Sequence, residues 1–203
     1  FVFGMAGFRE DRPIHWSHML AVRPDARGRG LGRGLKLHQR RTLLERGTDV
    51  AFWTFDPLVS RNAHLNLNRL GAVVAGYERD LYGTETNSPL HGLGGTDRFV
   101  VRWDLRSQRV RRAVDGEIPV DAADYRDAPV VTLPERRGDG RHGDDSPFQP
   151  PFPFEPRVLV EIPRDVQALK RDDPDRVVRW RSLTGAALPW YLGRGYAVEG
   201  LLP

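Results

Sequence analysis

Residues 19–35 read MLAVRPDARGRGLGRGL. An apolar strand end runs into the turn Arg23-Pro24-Asp25-Ala26, then into Arg27-Gly28-Arg29-Gly30-Leu31-Gly32, and a helical pattern begins at once. Glycines allow tight turning and close approach of backbone N–H groups to a ligand. A helix N-terminus adds donors without intrahelical acceptors and a partial positive charge. The combination makes a pyrophosphate cradle, to which Arg27 and Arg29 add charge-assisted bonds. A nucleotide P-loop is excluded because no Lys follows the glycines, and the spacing Gly28-x-Gly30-x-Gly32-x-Gly34 is wrong for a dinucleotide fingerprint.

Working outward, residues 1–8 read as a strand, residues 9–13 as a polar turn stopped by Pro13, and residues 15–22 as a second strand closing an antiparallel hairpin. Residues 31–46 carry an imperfect helical stripe of Leu31, Leu35, Leu37, Leu43 and Leu44, ended by Gly47. The run DVAFWTF (49–55) reads as a buried parallel strand. Residues 60–70 read as a helix, with Ser60 as N-cap and Gly71 as terminator. Two more strands, 72–81 and 98–105, flank a Gly-rich loop. This order predicts an α/β (α+β) fold, a mixed central sheet flanked by helices.

Residues 114–156 are rich in Asp, Arg, Gly and Pro and predict a linker or extended wrap. Beyond it, a strand at 158–162, one or two helices over 165–193 and a final strand at 196–202 form a β-α-β segment that completes or flanks the sheet. The expected organisation is a core over 1–113, the linker or wrap over 114–156, and the C-terminal segment over 157–203. The wrap and tail are suited to serve a homodimer.

Composition narrows the classes. The 203 residues carry a formal charge of +4 and no Cys, which rules out disulfides, thiolate metal sites and a Cys nucleophile. Lys occurs only at Lys36 and Lys170, and the Arg residues are interleaved with Asp along the chain rather than clustered as a nucleic-acid stripe. No apolar run is long enough to span a membrane, and the opening FVFGMAGF lacks the features of a signal peptide. The expectation is a soluble cytoplasmic protein binding neither nucleic acid nor membrane. The chain begins at Phe1 inside a strand, so upstream residues are expected to have been lost, removed or left out.

The motif resembles one family. R-x-x-G-x-G between a strand and a helix, preceded by V-x-P, is similar to the acetyl-CoA loop of GNAT N-acetyltransferases, here at Val22, Pro24, Arg27, Gly30 and Gly32. Asn62-Ala63 followed by Leu70-Gly71-Ala72 resembles the helix leading into the family's LGF signature. The segment TFDPLVSRNAHLNLNRLGA is similar to a little-characterised bacterial branch of predicted acetyltransferases. The likeness covers about residues 1–105, and at branch level extends to EIPRDVQAL, RWRSLTG and GRGYAVEG in the tail.

The resemblance implies acetyl transfer from acetyl-CoA (coenzyme A) to an amine of a small metabolite by direct attack. It implies that strand 16–22, including Leu20, Ala21 and Val22, pairs with the pantetheine arm. Residues Arg27, Gly28, Arg29, Gly30, Leu31 and Gly32 would hold the pyrophosphate, strand 50–55 would splay away, and Asn62 would touch the cofactor. A strand N–H such as that of Leu20 would polarise the carbonyl. Two departures stand out. Leu67 occupies the position of the family's usual proton-donating Tyr, and the family's first strand and first two helices have no counterpart before Phe1. The alternative is a catalytically silent CoA-binding or scaffold module. The acid–base candidates are His18 on the cofactor strand, Asp56 beyond the splayed strand (to orient a cationic substrate or act as base), and Tyr82 as replacement acid. His64 and Asn66 lie near the presumed cofactor. No metal is expected, because His15, His18, Asp56 and His64 have no standard zinc spacing. The five Trp residues are expected to fill core or interface.

Overall fold

The computed structural model describes residues 1–83, 95–117, 120–134 and 148–203. The chain opens with β1 (Val2–Arg9) and β2 (Arg12–Leu20). Their two-residue connection, Glu10 and Asp11, has φ of 50° and 59°, the left-handed pair of a tight hairpin turn. Pro13, expected to stop the chain, instead lies inside β2 opposite Phe8. Pairing of β2 with its other neighbour starts only at Ile14, so the missing N–H costs no ladder bond there.

Helix α1 (Leu31–Glu45) leads to β3 (Val50–Phe55). A short α-helix, α2 (Ser60–Ala63), continues as a π-helical segment, His64–Arg69. Then come β4 (Val73–Glu78), β5 (Arg98–Asp104) and α3 (Gln108–Asp115). The sheet order is β1-β2-β3-β5-β4, with β2–β3 parallel and all other pairs antiparallel. The predicted mixed α/β fold is therefore present, its sheet mostly antiparallel and flanked by helices. The strand expected to be buried and parallel, β3, is parallel on one side only.

Two details of the second helix differ from expectation. Val59, not Ser60, occupies its cap position, and the Ser60 hydroxyl donates instead to the Arg164 carbonyl at 2.6 Å. The widened π turn presents three consecutive residues inward, Asn66, Leu67 and Asn68. Asn66 accepts from Trp53 Nε1 at 3.2 Å, so the buried indole is satisfied.

Within the predicted linker, residues 122–125 form a 3₁₀ turn and β6 (Val130–Val131) pairs in parallel with β7 (Leu159–Val160). The motif RRGDGRHGDD lies outside the described residues, as does most of the Gly-rich loop before β5. Helices α4 (Val166–Asp172) and α5 (Pro174–Leu192) follow. The expected final strand at 196–202 does not form. Its backbone is instead held by side chains: Asn68 donates to the Leu201 carbonyl at 2.7 Å and accepts from the Leu201 N–H at 2.9 Å, and Arg109 donates to the Glu199 carbonyl. A carboxamide supplies both groups of a strand neighbour, so the tail needs no ladder.

Two apolar clusters result. One, on the face of the sheet covered by the helices, joins Trp53, Phe55, Phe99, Val101, Trp103 and Leu67. The other joins Leu58 to Val131, Val177, Trp180, Leu183 and Tyr191. Leu188, Leu192, Val198 and Leu201 of the tail pack into the first. Trp53, Trp103 and Trp180 are buried in these clusters.

Candidate functional site

The parallel pairing of β2 and β3 lasts three residues. Ile14, His15 and Trp16 face Val50, Ala51 and Phe52; beyond them, Trp53–Phe55 pair with β5 alone. At the same level β2 bulges, placing Ser17 and His18 opposite the single residue Gly4 of β1. Gly4 is required there, because a Cβ would lie 2.5 Å from the Trp16 carbonyl oxygen and 2.2 Å from His15 Nε2. The strands thus separate into a fork. Beyond the bulge, Ala21 exchanges both backbone hydrogen bonds with Phe1, at 3.0 and 2.9 Å. Because such groups alternate between the two edges of a strand, the N–H and C=O of Leu20 point to the edge that β3 has left.

At the open end of this edge sits the Gly/Arg loop. A 3₁₀ turn, Pro24–Ala26, reverses the chain, and Gly28 and Gly30 take φ of 78° and 73°, conformations that favour glycine. Gly30 is the cap residue of α1 and offers no side-chain acceptor; the first helical bond is Gly34 N–H to the Gly30 carbonyl at 3.0 Å. The N–H groups of Leu31, Gly32 and Arg33 therefore have no acceptor within the helix. A Cβ on Gly28, Gly30 or Gly34 would meet nothing within 4 Å, so the surface above the loop is open. Gly32 is tighter, facing Leu20 and Leu65 Cδ2 atoms at 3.9 and 4.0 Å, which brings the end of β2, the start of α1 and the π segment together. The Arg27 guanidinium folds back on the Val22 carbonyl at 3.2 Å, whereas Arg29 is exposed. Arg33 donates to the Val114 carbonyl.

Sequence reasoning missed Lys36. Its side chain is 3% exposed and its amine lies inside the fork, 2.7 Å from Ser17 Oγ on β2 and 3.7 Å from the centre of the Trp53 ring on β3. Gln39 Oε1 accepts from both Lys36 (3.2 Å) and Ser17 (3.0 Å), while its amide donates to His15 Nε2 at 3.0 Å. Burial pulls the Lys36 pKa down to about 7. His15 is lowered too, first by burial and then by the Lys36 charge. One signal was available: a lone Lys in an Arg-rich chain, on a helical stripe whose inward positions turn out to be Lys36, Gln39 and Leu43. The stripe was imperfect because its inner face turns polar at the fork.

The predicted acid–base residues are not gathered in one place. His18 is exposed at the bulge, edge-on to Phe3 with ring centres 6.4 Å apart. Asp56 is committed to a bidentate ion pair with Arg181 of α5 and accepts from the Leu58 N–H at 2.9 Å. A carboxylate so held anchors α5 to the end of β3. Tyr82 places its hydroxyl 3.5 Å from Thr54 Oγ1, in the part of β3 that has left β2, and the Arg98 guanidinium lies 5.2 Å from its ring centre. Asn62 is half-buried in α2, one turn before Leu65. His64 is exposed, and Leu67 is 2% exposed in the core, so no proton donor stands at that position. Among the described residues no group of three or more His, Asp or Glu could hold a metal, and no helix is long and apolar enough to cross a membrane.

A separate cavity of about 1380 Å³ lies between the tail and the body, lined by Pro57, Ala63, Leu67, Phe99, Leu188 and Leu201 among others. The loop residues 27–32 do not line it.

What these features define is a mixed α/β protein with a forked sheet and an open helix N-terminus at the mouth of the fork. No family model matches the chain, and no curated protein matches it. Among solved structures, a chain of the NatC complex bound to Gag peptide and CoA is similar to it, with 18% identity, a TM-score of 0.38, and coverage of 51% of this chain and 58% of that one. This chain therefore spans less than two thirds of that neighbour's length.

Proposed function

We propose that the protein is an acetyl-CoA-dependent N-acyltransferase of the GNAT type, transferring an acetyl group to the amine of a small metabolite. The observation that carries this reading is the fork, with Leu20 N–H and C=O turned toward it, ending in a glycine loop and an uncapped helix. The free strand edge suits the amide-bearing pantetheine arm, which would pair with Leu20 and Val22 as an added strand. The N–H groups of residues 31–33, with Arg29, suit the pyrophosphate. Asn62 lies on the helix that meets the loop through Leu65. The residues present therefore fit the cosubstrate.

In the reaction the acceptor nitrogen bonds to the acyl carbon, the carbon–sulfur bond breaks, the nitrogen loses a proton and the departing thiolate gains one. The Leu20 N–H, aimed into the fork, stabilises the developing oxyanion. His18, exposed on the same strand, is the base this reading favours. Tyr82 remains the proposed acid; Asp56 is better cast as a structural anchor.

A silent CoA-binding module is the second reading, favoured by the burial of Leu67 where a proton donor would stand. Calorimetric titration with acetyl-CoA tests binding. Micromolar binding that is lost in Gly30→Glu supports the loop assignment, and its absence in the wild type sinks the reading. Thiol release with a panel of amines then separates enzyme from scaffold, since a scaffold binds without turnover.

A further inference from the structure

At the end of β3, beyond the fork, one carboxylate is ion-paired with Arg181 and also attracts Arg98 and Lys170. Arg181 forks onto Asp56; Arg98, at the start of β5, is one residue on in the ladder from the pair Phe55–Phe99; Lys170 stands in the last turn of α4. Asp56 attracts both Arg98 and Lys170, and each of them is repelled by Arg181. Arg98 and Arg181 are 7% and 4% exposed, and Lys170 is half-buried. The second acid near Arg98 is Asp97, whose carboxylate already accepts from the Tyr77 hydroxyl and the Asp80 N–H. Among the described residues, Arg98 donates to the Asp97 carbonyl and not to a carboxylate. Arg181 Nε is buried and has no hydrogen-bond partner among the described residues.

Burying cations without matching anions is expensive, because the low local dielectric both removes hydration and sharpens repulsion. A cluster of this kind is relieved by an anion that enters it. Its position favours a substrate group: it stands where ligands bind in open sheets, at the carboxyl end of a strand, beside Thr54 and the exposed Tyr82. Asp56, expected from the sequence to orient a cationic substrate or act as base, has Arg181 as its ion-pair partner here.

We propose that Arg98, Lys170 and Arg181 form a carboxylate-binding site, and that the acceptor amine accordingly carries a carboxylate. The substrate assignment rests on the acyl-transfer reading; the anion site does not. Burial lowers the pKa of both Arg98 and Lys170, in keeping with cations short of counter-charge.

The test has two arms. In the first, thiol release from acetyl-CoA is followed with free amino acids and their matching amides. Free acids should be preferred in kcat/KM by about tenfold or more, chiefly through KM, with the preference falling toward unity in Lys170→Gln. Amides used as well as acids by the wild type would overturn the substrate assignment while leaving acyl transfer standing. In the second arm, thermal unfolding without acetyl-CoA is compared in sodium glutamate and sodium chloride at equal ionic strength. The wild type should gain more from glutamate than Lys170→Gln and Arg98→Gln do, and Lys170→Gln alone should unfold at a higher temperature than wild type in chloride. Equal gains in all three proteins would overturn the site, whatever the acetyl-CoA titration shows.

Discussion

Lys36 is buried in an environment far from that of its solvated form. Its amine is enclosed by Ser17, Gln39 and Trp53, and its charge acts on His15. Its pKa falls from 10.5 in water to about 7 in the fold, by burial. Between those two values the unfolded chain keeps a proton the folded chain has released, so this group makes stability rise with pH above about 7. Lys36→Met should flatten that rise. It should raise the denaturation midpoint near pH 6, by about 1–3 kcal/mol of stability, and much less near pH 9.5. Urea titrations at the two pH values decide it, and equal shifts at both would count against a buried charge. Asp56 behaves oppositely, because removing it strands three cations. Asp56→Ala should cost about 3–5 kcal/mol, and the double variant with Arg181→Leu should recover much of it. A double-mutant cycle by denaturant unfolding measures this coupling.

At the scale of elements, two junctions hold the candidate site. The first is the β2 bulge, which depends on the missing side chain of Gly4. Gly4→Val should force the hairpin apart and, on the proposed function, weaken acetyl-CoA binding while α1 stays intact, as far-ultraviolet circular dichroism and calorimetry together would show. The second is the π segment. Its three consecutive inward residues let Asn66 hold Trp53 while Asn68 holds the tail. Asn68→Ala leaves the half-buried N–H and C=O of Leu201 without the Asn68 carboxamide, at about 1–3 kcal/mol. Hydrogen exchange at Leu201 should then quicken well before the sheet amides; unchanged protection would mean the tail is held by packing alone. Neither junction was visible in the chain as letters. A helical pattern over 60–70 is readable from Leu spacing, but α and π turns share it over so short a span. The final strand was misread for a related reason: residues 196–202 have an extended composition, and a carboxamide from a distant helix took the place of the ladder.

For the whole molecule, the sheet order and the packing of α5 decide what surrounds the fork. Arg181 reaches Asp56 across 125 residues of sequence, and Arg79 donates to the Gly185 carbonyl across 106, so strand ends and tail helix act as one unit. Trp103, wholly buried and donating to the Leu70 carbonyl at 2.7 Å, ties β5 to the end of the π segment. Trp103→Ala should cost about 3–5 kcal/mol and broaden the unfolding of core and tail alike, seen as coincident transitions by fluorescence and circular dichroism. The sequence by itself determined the hairpin, α1, the hydrophobic strands of the centre and the glycine loop between strand and helix. Each of these rests on local rules of turn chemistry, periodicity and backbone freedom. Only the tertiary structure decided where β2 and β3 part, that a lysine fills the gap, that Asp56 is an anchor among cations, and that the tail is held by side chains. Those outcomes depend on which distant groups become neighbours, and on the loss of water around charges that a linear chain still shows as solvated.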